Sequence, residues 1–313
     1  MALPYRRYAI LGTGAIGGFY GARLQRAGHE VHFVLRSDHA HVSRAGLRVE
    51  SSDGSFLLPD VSAHASSGSL PRCDVAVVAT KTTASDALEK LLAPLLHPEL
   101  SVLVLQNGLS PERDVVAAAP GAEVIGGMCF ICCNKVGPGH VRHLDYGRMT
   151  IAARGEGRGP AGVTAEMQRV RADFALAGIE VTCAPDLAVA RWQKLVWNIP
   201  YNGLTALLGC GTDALMRDAG TRRLVRDLMA EVVSAAAACG SPVPPDFIDQ
   251  MIAHTDAMSP YETSMKRDLD AGRDLEIEAI YGDMIRAARE AGYVPARTEM
   301  LYRQLLFLTH REP

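Results

Sequence analysis

Residues 8–24 read YAILGTGAIGGFYGARL, and the glycines at positions 12, 14 and 17 form the pattern G-x-G-x-x-G. The apolar run Tyr8 to Leu11 is typical of a strand, and the residues after the glycines are compatible with a helix. In that context the first glycine permits a sharp turn, the second permits close approach of a pyrophosphate, and the third permits close packing of the helix on the strand. The stretch therefore predicts a dinucleotide-binding loop, for which a simple glycine-rich turn is the alternative. Its expected cofactor contacts are Gly12, Gly14, Ala15, Ile16 and Gly17.

Length and charge limit what the rest of the molecule can be. The chain has 313 residues, enough for two domains of ordinary size, and its 32 basic and 35 acidic residues give a net charge of -3. The charges are interspersed, so we expect small-molecule partners and no nucleic acid. No apolar run reaches about 18 residues, and the first strand begins too near residue 1 for a cleavable leader. We therefore expect no membrane contact and a cytoplasmic protein.

The seven cysteines are an odd number spread over apolar segments, which indicates reduced, buried thiols and not a disulfide framework. Cys129 and Cys132 form a C-x-x-C pair, which is a redox or metal motif in other settings. Here the pair lies in GGMCFICCN, which is typical of a buried strand, and no second Cys or His pair stands at zinc spacing. We therefore expect no metal site.

The two halves of the sequence differ in pattern. In the first half, short strand-like runs alternate with helix-like stretches, which indicates parallel strands joined by crossover helices. After about Pro185 long amphipathic segments follow, the first from Leu187 to Leu208. The sequence therefore predicts an α/β fold, with an N-terminal Rossmann-type doubly wound sheet in residues 1–185 and an all-α C-terminal domain in residues 186–313. The predicted strands are Tyr8 to Leu11, Val31 to Leu35, Val75 to Ala79, Val102 to Gln106, Val124 to Cys133, Met149 to Ala153 and Glu180 to Cys183, with two more within 46–64.

The end of the second predicted strand bears on which dinucleotide binds. In NAD-binding proteins an acidic residue roughly 20 residues after the glycines holds the ribose 2′-hydroxyl. Here the strand ends in Arg36 and Ser37, and a guanidinium can grip a 2′-phosphate through two hydrogen bonds. The sequence therefore favours NADPH and NADP+ over NADH. The alternative is that Arg36 is a solvated strand-end charge, with Asp38 as the nearby acidic rival.

Two polar residues follow later strands of the predicted sheet. Lys81 comes after the run Val75 to Thr80, and Asn107 comes after Val102 to Gln106. Ligands of open α/β sheets bind outside the carboxyl ends of the strands, so we expect both side chains on the nicotinamide side of the site. A helix N-cap and a solvated lysine are the alternatives.

A polar stripe crosses the first long segment of the second half. Lys194, Asn198 and Asn202 are spaced four residues apart, which places them on one face of a helix. Their neighbours are apolar, so the stripe must find partners or line a cavity, unless this face is simply exposed. Pro200 lies inside the stripe and should kink the helix near Val196.

A third polar cluster lies near the C-terminus. Ser264 begins the stretch SMKRDLDAGRDLEIE, in which Glu276 follows a glycine turn. One interpretation gives both residues helix-end roles, with Ser264 as an N-cap and Glu276 as a first-turn carboxylate.

Taken together, these motifs resemble the ketopantoate reductase (2-dehydropantoate 2-reductase) family, almost from end to end. The matching elements are GTGAIGG at 12–18, Lys81, the strand end Gln106-Asn107-Gly108, the stripe K-x-x-x-N-x-x-x-N, and S-M-x-x-D-x-x-x-G-R-x-x-E-I-E from Ser264. The resemblance implies a second domain similar to the C-terminal domain of 6-phosphogluconate dehydrogenase. It also implies reduction of ketopantoate to (R)-pantoate with NADPH, a step toward pantothenate and coenzyme A.

The resemblance also implies a role for each matching residue. Two would be catalytic, Lys194 as the general acid and Glu276. The residues that would bind the 2-oxo acid are Asn107, Asn198, Asn202 and Ser264. Besides the glycine loop, the residues that would contact the cofactor are Arg36, Lys81, Asn107 and Glu276.

Other functions stay open. The substrate could be another branched 2-oxo acid, because Gly203 follows Asn202 where many family members have proline. An opine-forming dehydrogenase is a further alternative, against which the ordered stripe and Glu276 argue. A redox-sensing NADP-binding protein without catalysis is another, and the intact Lys194 and Glu276 argue against it. The Ala-rich face within Thr221 to Cys239 leaves a homodimer open.

Overall fold

The computed structural model describes residues 5–155 and 159–309, and the chain divides into two compact units. The first unit is Met1–Gln106 with Pro111–Leu187, and the second is Asn107–Ser110 with Ala188–Pro313. The short segment Asn107–Ser110 therefore packs with the second unit. The predicted assignment of cofactor binding to residues 1–185 and of substrate binding to residues 186–313 stays a prediction.

In the described part of the first unit, ten strands form one mixed sheet. They are β1 (Arg7–Leu11), β2 (Glu30–Val34), β3 (Leu47–Ser51), β4 (Phe56–Leu58), β5 (Ser62–His64), β6 (Val75–Val78), β7 (Ser101–Val104), β8 (Glu123–Gly137), β9 (His140–Ala153) and β10 (Val181–Cys183). Their order is β4-β3-β9-β8-β7-β6-β1-β2-β5, with β10 paired to β9. The pairs β3/β4 and β8/β9 are antiparallel, and the other pairs are parallel.

Helices cover the sheet and close two separate apolar cores. Successive residues of β1 point to opposite faces, so Ile10 joins one core and Leu11 the other. Phe19 and Phe174, from two helices that pack on the same face, complete the first core, whereas Leu92 belongs to the second. The predicted doubly wound sheet is confirmed. The helices of this unit are α1 (Ala15–Arg26), α2 (His39–Ala45), α3 (Leu88–Leu92), α4 (Glu112–Ala118) and α5 (Ala165–Leu176), with 3-10 turns at Ser67–Ser69, Thr82–Ala87 and Ala93–Leu95.

The described part of the second unit is helical throughout, as predicted for an all-α domain. Its first helix matches the predicted bounds of 187–208 and continues through Pro200. Glu231 fastens two later helices together, because its carboxylate accepts from the backbone N–H groups of Arg297 and Thr298. The helices are α6 (Leu187–Leu208), α7 (Thr212–Arg217), α8 (Ala219–Ala238), α9 (Phe247–Ala257), α10 (Ser264–Asp270), a π-helical turn (Glu278–Gly282), α11 (Asp283–Glu290) and α12 (Ala296–Thr309).

All seven cysteines are free thiols. Cys132 and Cys133 are buried in β8, and burial raises the pKa of the Cys133 thiol far above its usual value. In residues 5–155 and 159–309 no three His, Cys, Asp or Glu side chains are grouped so that they could hold a metal ion. Over the same residues, none of the helices combines the length and the apolar character that a membrane span requires.

Candidate active site

The loop between β1 and α1 leaves room for a ligand at one of its three glycines. Gly12 has a φ of +98°, and a Cβ there would lie 2.7 Å from the backbone nitrogen of Thr80. A Cβ at Gly17 would lie 2.2 Å from the carbonyl oxygen of Gly12, so both positions require glycine. A Cβ at Gly14 would meet nothing within 4 Å in the described structure. The loop therefore fits a dinucleotide, whose pyrophosphate needs this close approach to the backbone.

The start of α1 offers hydrogen-bond donors at the same place. Gly14 is the N-cap residue, and it has no side chain that could accept from the first amide groups of the helix. Ala15 and Ile16 begin the helix and are half-buried. Amide groups at a helix N-terminus favour an anion through their N–H donors and the helix dipole. The hydroxyl of Thr13 donates to the carbonyl oxygen of Val34 at 3.0 Å, which ties this loop to the end of β2.

The segment after β2 contains an exposed arginine, Arg36, and a buried aspartate, Asp38. Arg36 is exposed, and in the described part of the chain no carboxylate pairs with it. Asp38 is 6% exposed, and its Oδ2 accepts from Nζ of Lys135 at 2.6 Å and from the N–H of Gly139 at 2.9 Å. Burial opposes the charged form of Asp38, but these hydrogen bonds outweigh it and hold the pKa of the carboxyl below its usual value. The acidic rival of Arg36 is therefore engaged elsewhere.

Lys81 stands at the carboxyl end of the parallel strands, as predicted. It lies three residues after β6 and is half-buried. The ends of β6 and β7 are joined beside it, because Nε2 of Gln106 donates to the hydroxyl of Thr80 at 3.3 Å. This edge of the sheet is the ligand side of open α/β folds.

In the second unit the structure brings together two predicted site residues that are 169 positions apart. Nδ2 of Asn107 donates to Oε2 of Glu276 at 3.2 Å. The N–H of Leu109 donates to the carbonyl oxygen of Ala279 at 3.1 Å, and a Cβ at Gly108 would lie 2.6 Å from that oxygen. The segment is therefore held against residues 276–279, and its amide orients the Glu276 carboxylate.

The predicted polar stripe lies on α6 and is buried. Lys194 is 9% exposed, and Asn198 and Asn202 are each 3% exposed, so the alternative of a solvated face is wrong. Nζ of Lys194 lies 5.8 Å from the ring centroid of Trp197, close enough for a cation–π attraction. The indole N–H of Trp197 in turn donates to the hydroxyl of Thr255 at 3.1 Å. Trp197 is thus held by α9 while it contacts the lysine.

Asn198 carries an unmet hydrogen-bonding requirement. Its Nδ2 is buried and has no partner among the described residues. An amide group buried without a partner costs about 1 to 3 kcal/mol, which proteins seldom bear without a functional reason. This nitrogen is therefore a donor that a ligand with an acceptor group could satisfy.

Thr263, the residue before Ser264, contacts α6 just beyond the stripe. The hydroxyls of Thr205 and Thr263 are 2.7 Å apart, which fixes the start of α10 against the turn of α6 that follows Asn202. Thr263 caps α10 by accepting from the N–H of Lys266, so the interpretation of Ser264 as the N-cap is wrong. Ser264 is instead the first helical residue, and it is exposed.

The sequence analysis did not identify the residues that pack against α6 at Ile199 and Gly203. Tyr281 is fully buried, and its hydroxyl donates to the carbonyl oxygen of Ile199 at 2.9 Å. Burial raises the pKa of Tyr281 well above its usual value, so the phenol stays protonated as this donor. A Cβ at Gly203 would lie 2.7 Å from the Tyr281 oxygen and 2.6 Å from a methyl of Leu301. The sequence analysis found glycine at position 203 where many family members have proline. The close packing of Tyr281 and Leu301 explains why this position has no side chain.

Comparison with known families matches the chain over both units. The family described as Ketopantoate reductase PanE/ApbA matches residues 8–156, and the family described as its C terminal part matches residues 186–308. A 2-dehydropantoate 2-reductase from Nostoc sp. is 49% identical over 306 residues, which cover 98% of this chain and 96% of that protein.

Two solved structures of 2-dehydropantoate 2-reductases share the fold. The protein from Geobacter metallireducens has a TM-score of 0.90 and 38% identity, with 96% of this chain and 99% of that one covered. The protein from Methylococcus capsulatus has a TM-score of 0.86 and 34% identity, with 98% of both chains covered. With both parts of the family matched and relatives of this identity covered almost completely, the chain belongs to the ketopantoate reductase family of oxidoreductases, which work with a nicotinamide cofactor.

Proposed function

We propose that this protein reduces 2-dehydropantoate (ketopantoate) to (R)-pantoate with NADPH, a step of pantothenate and coenzyme A biosynthesis. Membership of the family supports the reaction class, and the Nostoc relative carries the name of this activity. The observation that carries the proposal is the unpartnered Nδ2 of Asn198, buried one helical turn after the buried Lys194. A cation and an unsatisfied amide on one helix face suit a substrate with a carbonyl and a carboxylate.

Lys194 is the proposed general acid. The nicotinamide, when bound, would supply a hydride to the keto carbon of the substrate. The electron pair of the C=O bond then moves to the oxygen, and Nζ of Lys194 gives that oxygen a proton to form the hydroxyl of the product. A cation within hydrogen-bond reach both stabilises the developing charge and delivers the proton. The neutral amine regains its proton from water.

The other proposed contacts of the substrate leave the lysine charged. Asn198 and Asn202 have amide groups, and Ser264 has a hydroxyl, so all three can donate to the substrate carboxylate without neutralising Lys194. Glu276 is the one carboxylate of the proposed site. Its hydrogen bond from Asn107 gives it a fixed direction, which suits a residue that holds cofactor and substrate.

NADPH is proposed as the reductant because of the charges at the end of β2. Arg36 is exposed, where its guanidinium can reach a 2′-phosphate, whereas the hydroxyl of Ser37 donates to Asp38. Asp38, the residue that could instead accept from a ribose 2′-hydroxyl, is buried and paired with Lys135.

Assays of NADPH and NADH oxidation with a panel of 2-oxo acids test this proposal. We expect the highest kcat/KM for 2-dehydropantoate with NADPH. Lys194→Ala should lower kcat by about 10³-fold, within the range of general acid catalysis, and leave NADPH affinity unchanged. Lys90→Ala, at an exposed position of α3, is the control and should match the wild type.

Each alternative gives a different result in these assays. If another 2-oxo acid had the highest kcat/KM, the proposed substrate would be wrong and the proposed reaction class would stand. Clear preference for NADH would contradict the interpretation of Arg36. A redox sensor would bind NADPH tightly and oxidise none of it, with or without Lys194.

A homodimer in the cytoplasm stays a prediction. A ketopantoate reductase from Staphylococcus aureus is described as dimeric, but at 23% identity it supports the fold alone. The apolar residues of α8 that favoured a dimer, including Val232, Ala235 and Ala236, are buried within this chain. They are not free to meet a second copy, so a dimer would have to use another surface.

A further inference from the structure

An ion pair between the buried Asp38 and the partly exposed Lys135 joins the end of β2 to the hairpin of β8 and β9. The carboxylate of Asp38 accepts three hydrogen bonds, from Nζ of Lys135 at 2.6 Å, from the N–H of Gly139 at 2.9 Å and from the hydroxyl of Ser37 at 3.0 Å. Asp38 itself is 6% exposed, whereas the side chain of Lys135 is 34% exposed. Both oxygens of the carboxylate therefore have donors, and one lysine neutralises its charge.

The packing of the hairpin brings Lys135 near Asp38. Gly139, at its tip, has a φ of +58°, and a Cβ there would lie 3.0 Å from both the carbonyl oxygen of Gly46 and the ring of His41. The tip thus packs directly on α2 and the residue that ends it. Lys135 lies in β8 opposite Val141, one pair before the tip. Sheet pairing therefore fixes the backbone of Lys135, and its side chain makes the contact with Asp38.

The location of this pair matters for the choice of cofactor. Asp38 lies two residues after Arg36, at the position along the chain where dinucleotide-binding sheets select for or against a 2′-phosphate. A carboxylate there would repel a phosphate dianion and could accept a hydrogen bond from a ribose 2′-hydroxyl. With Lys135 bound to it, Asp38 does neither. The exposed charge that remains at this point is the guanidinium of Arg36.

We propose that Lys135 determines cofactor specificity, because it neutralises and occupies Asp38 and so leaves Arg36 to select a 2′-phosphate. Lys135 is a specificity-determining residue that acts through Asp38 and not through its own contact with the cofactor. The inference rests on the proposed use of NADPH.

Binding of two cofactor fragments to the full-length protein tests the proposal without turnover. Adenosine 2′,5′-bisphosphate and 5′-AMP differ by the 2′-phosphate alone, so the ratio of their calorimetric Kd values isolates that group. Lys135→Met should weaken adenosine 2′,5′-bisphosphate about fivefold, as expected for one uncompensated charge near a partly exposed phosphate, and leave 5′-AMP within twofold. The loss should shrink at high ionic strength, because salt ions screen the 2′-phosphate, which is partly exposed to solvent.

A double-mutant cycle separates the two ways in which Lys135 could act. In the Asp38→Asn background, Lys135→Met should change the Kd ratio by less than twofold, since no carboxylate is left to neutralise. Lys135→Arg should keep the wild-type ratio, because it keeps the charge. An equal loss from Lys135→Met in both backgrounds would mean direct contact with the phosphate and would overturn the inference. So would a parallel loss for both fragments, which would indicate a purely structural role.

The result also distinguishes this inference from the function on which it rests. A wild-type protein that binds both fragments equally would contradict the use of NADPH, and with it the role of Lys135. A wild-type preference for adenosine 2′,5′-bisphosphate that survives Lys135→Met unchanged would contradict the role of Lys135 alone.

Discussion

The glycine loop of the first unit and the polar face of α6 make room for ligands in opposite ways. The loop omits side chains: glycines at 12 and 17 relieve contacts that any Cβ would make, and the side of Gly14 is left open. The face of α6 instead buries polar groups, and one amide nitrogen of Asn198 has no partner there in the described structure. The loop is therefore compatible with a stable unliganded fold, whereas the α6 face carries a cost that a ligand would relieve.

This difference predicts that substitutions in the loop separate folding from binding. Gly17→Ala should lower the free energy of unfolding by about 3 kcal/mol, because its methyl would lie against the backbone oxygen of Gly12. Gly14→Ala should leave that free energy nearly unchanged and weaken NADPH binding at least tenfold, because its methyl fills the space needed by the pyrophosphate. Urea unfolding and fluorescence titration with NADPH measure the two effects. Equal destabilisation by both variants would mean that the side of Gly14 is not open.

The same contrast explains how much of the molecule the sequence could predict. The loop depends on residues adjacent in the chain, so its glycine pattern and flanking strand and helix were sufficient. The bounds of α6 were predicted equally well, because the apolar periodicity of its 22 residues indicates a helix in spite of the one proline within it. By contrast, β8 and β9 are 15 and 14 residues long, far beyond the predicted 124–133 and 149–153. The residues beyond the predicted bounds are largely polar. They form strands because β8 and β9 pair with each other and β9 also pairs with β3.

The support of the candidate site was beyond sequence reasoning for a related reason. The hydrogen bond between Asn107 and Glu276 spans 169 positions, and that between Thr205 and Thr263 spans 58. No local pattern indicates either pair. The N-cap of α10 was assigned to Ser264 where Thr263 occupies it, because adjacent hydroxyl residues are both good caps and only the backbone decides between them. The sequence therefore predicted which residues belong to the candidate site, but it did not predict their hydrogen-bond partners.

The polar face of α6 should respond to substitution in the opposite sense to the loop. Asn198→Leu removes the buried unpartnered nitrogen, so the free energy of unfolding should change by less than about 1 kcal/mol or rise. The KM for the 2-oxo acid should increase at least tenfold, because the proposed substrate contact is lost. Thr205→Val is the matched control, a buried polar group that has partners in Tyr201 and Thr263. It should lower the free energy of unfolding by about 1 to 2 kcal/mol. If Asn198→Leu were as destabilising as Thr205→Val, Asn198 would be a structural residue.

The smallest expected effect concerns Asp38, near the end of β2, which unlike Asn198 has hydrogen-bond partners. Hydrogen bonds from Lys135 and Gly139 hold the pKa of Asp38 below its usual value against the opposing effect of burial. A carboxyl with a depressed pKa in the folded state stabilises the protein above the unfolded pKa of about 4, and this contribution is lost as the pH falls through the folded value. Asp38→Asn should therefore lower the free energy of unfolding by about 1 kcal/mol near neutral pH and have progressively less effect below about pH 4.

An exposed ion pair on the second unit provides the control for Asp38. Asp256 accepts two hydrogen bonds of 2.7 Å from Arg222, and these bonds lower its pKa although both side chains are 41% exposed. Its contribution should have the same direction with pH but fade in about 0.5 M salt, because solvent ions screen exposed charges. The contribution of Asp38 should persist in that salt, since its carboxylate is buried and one of its donors is a backbone amide. Urea unfolding of both variants across pH and salt measures the difference, and a loss of the Asp38 effect in salt would show that its burial does not protect the ion pair.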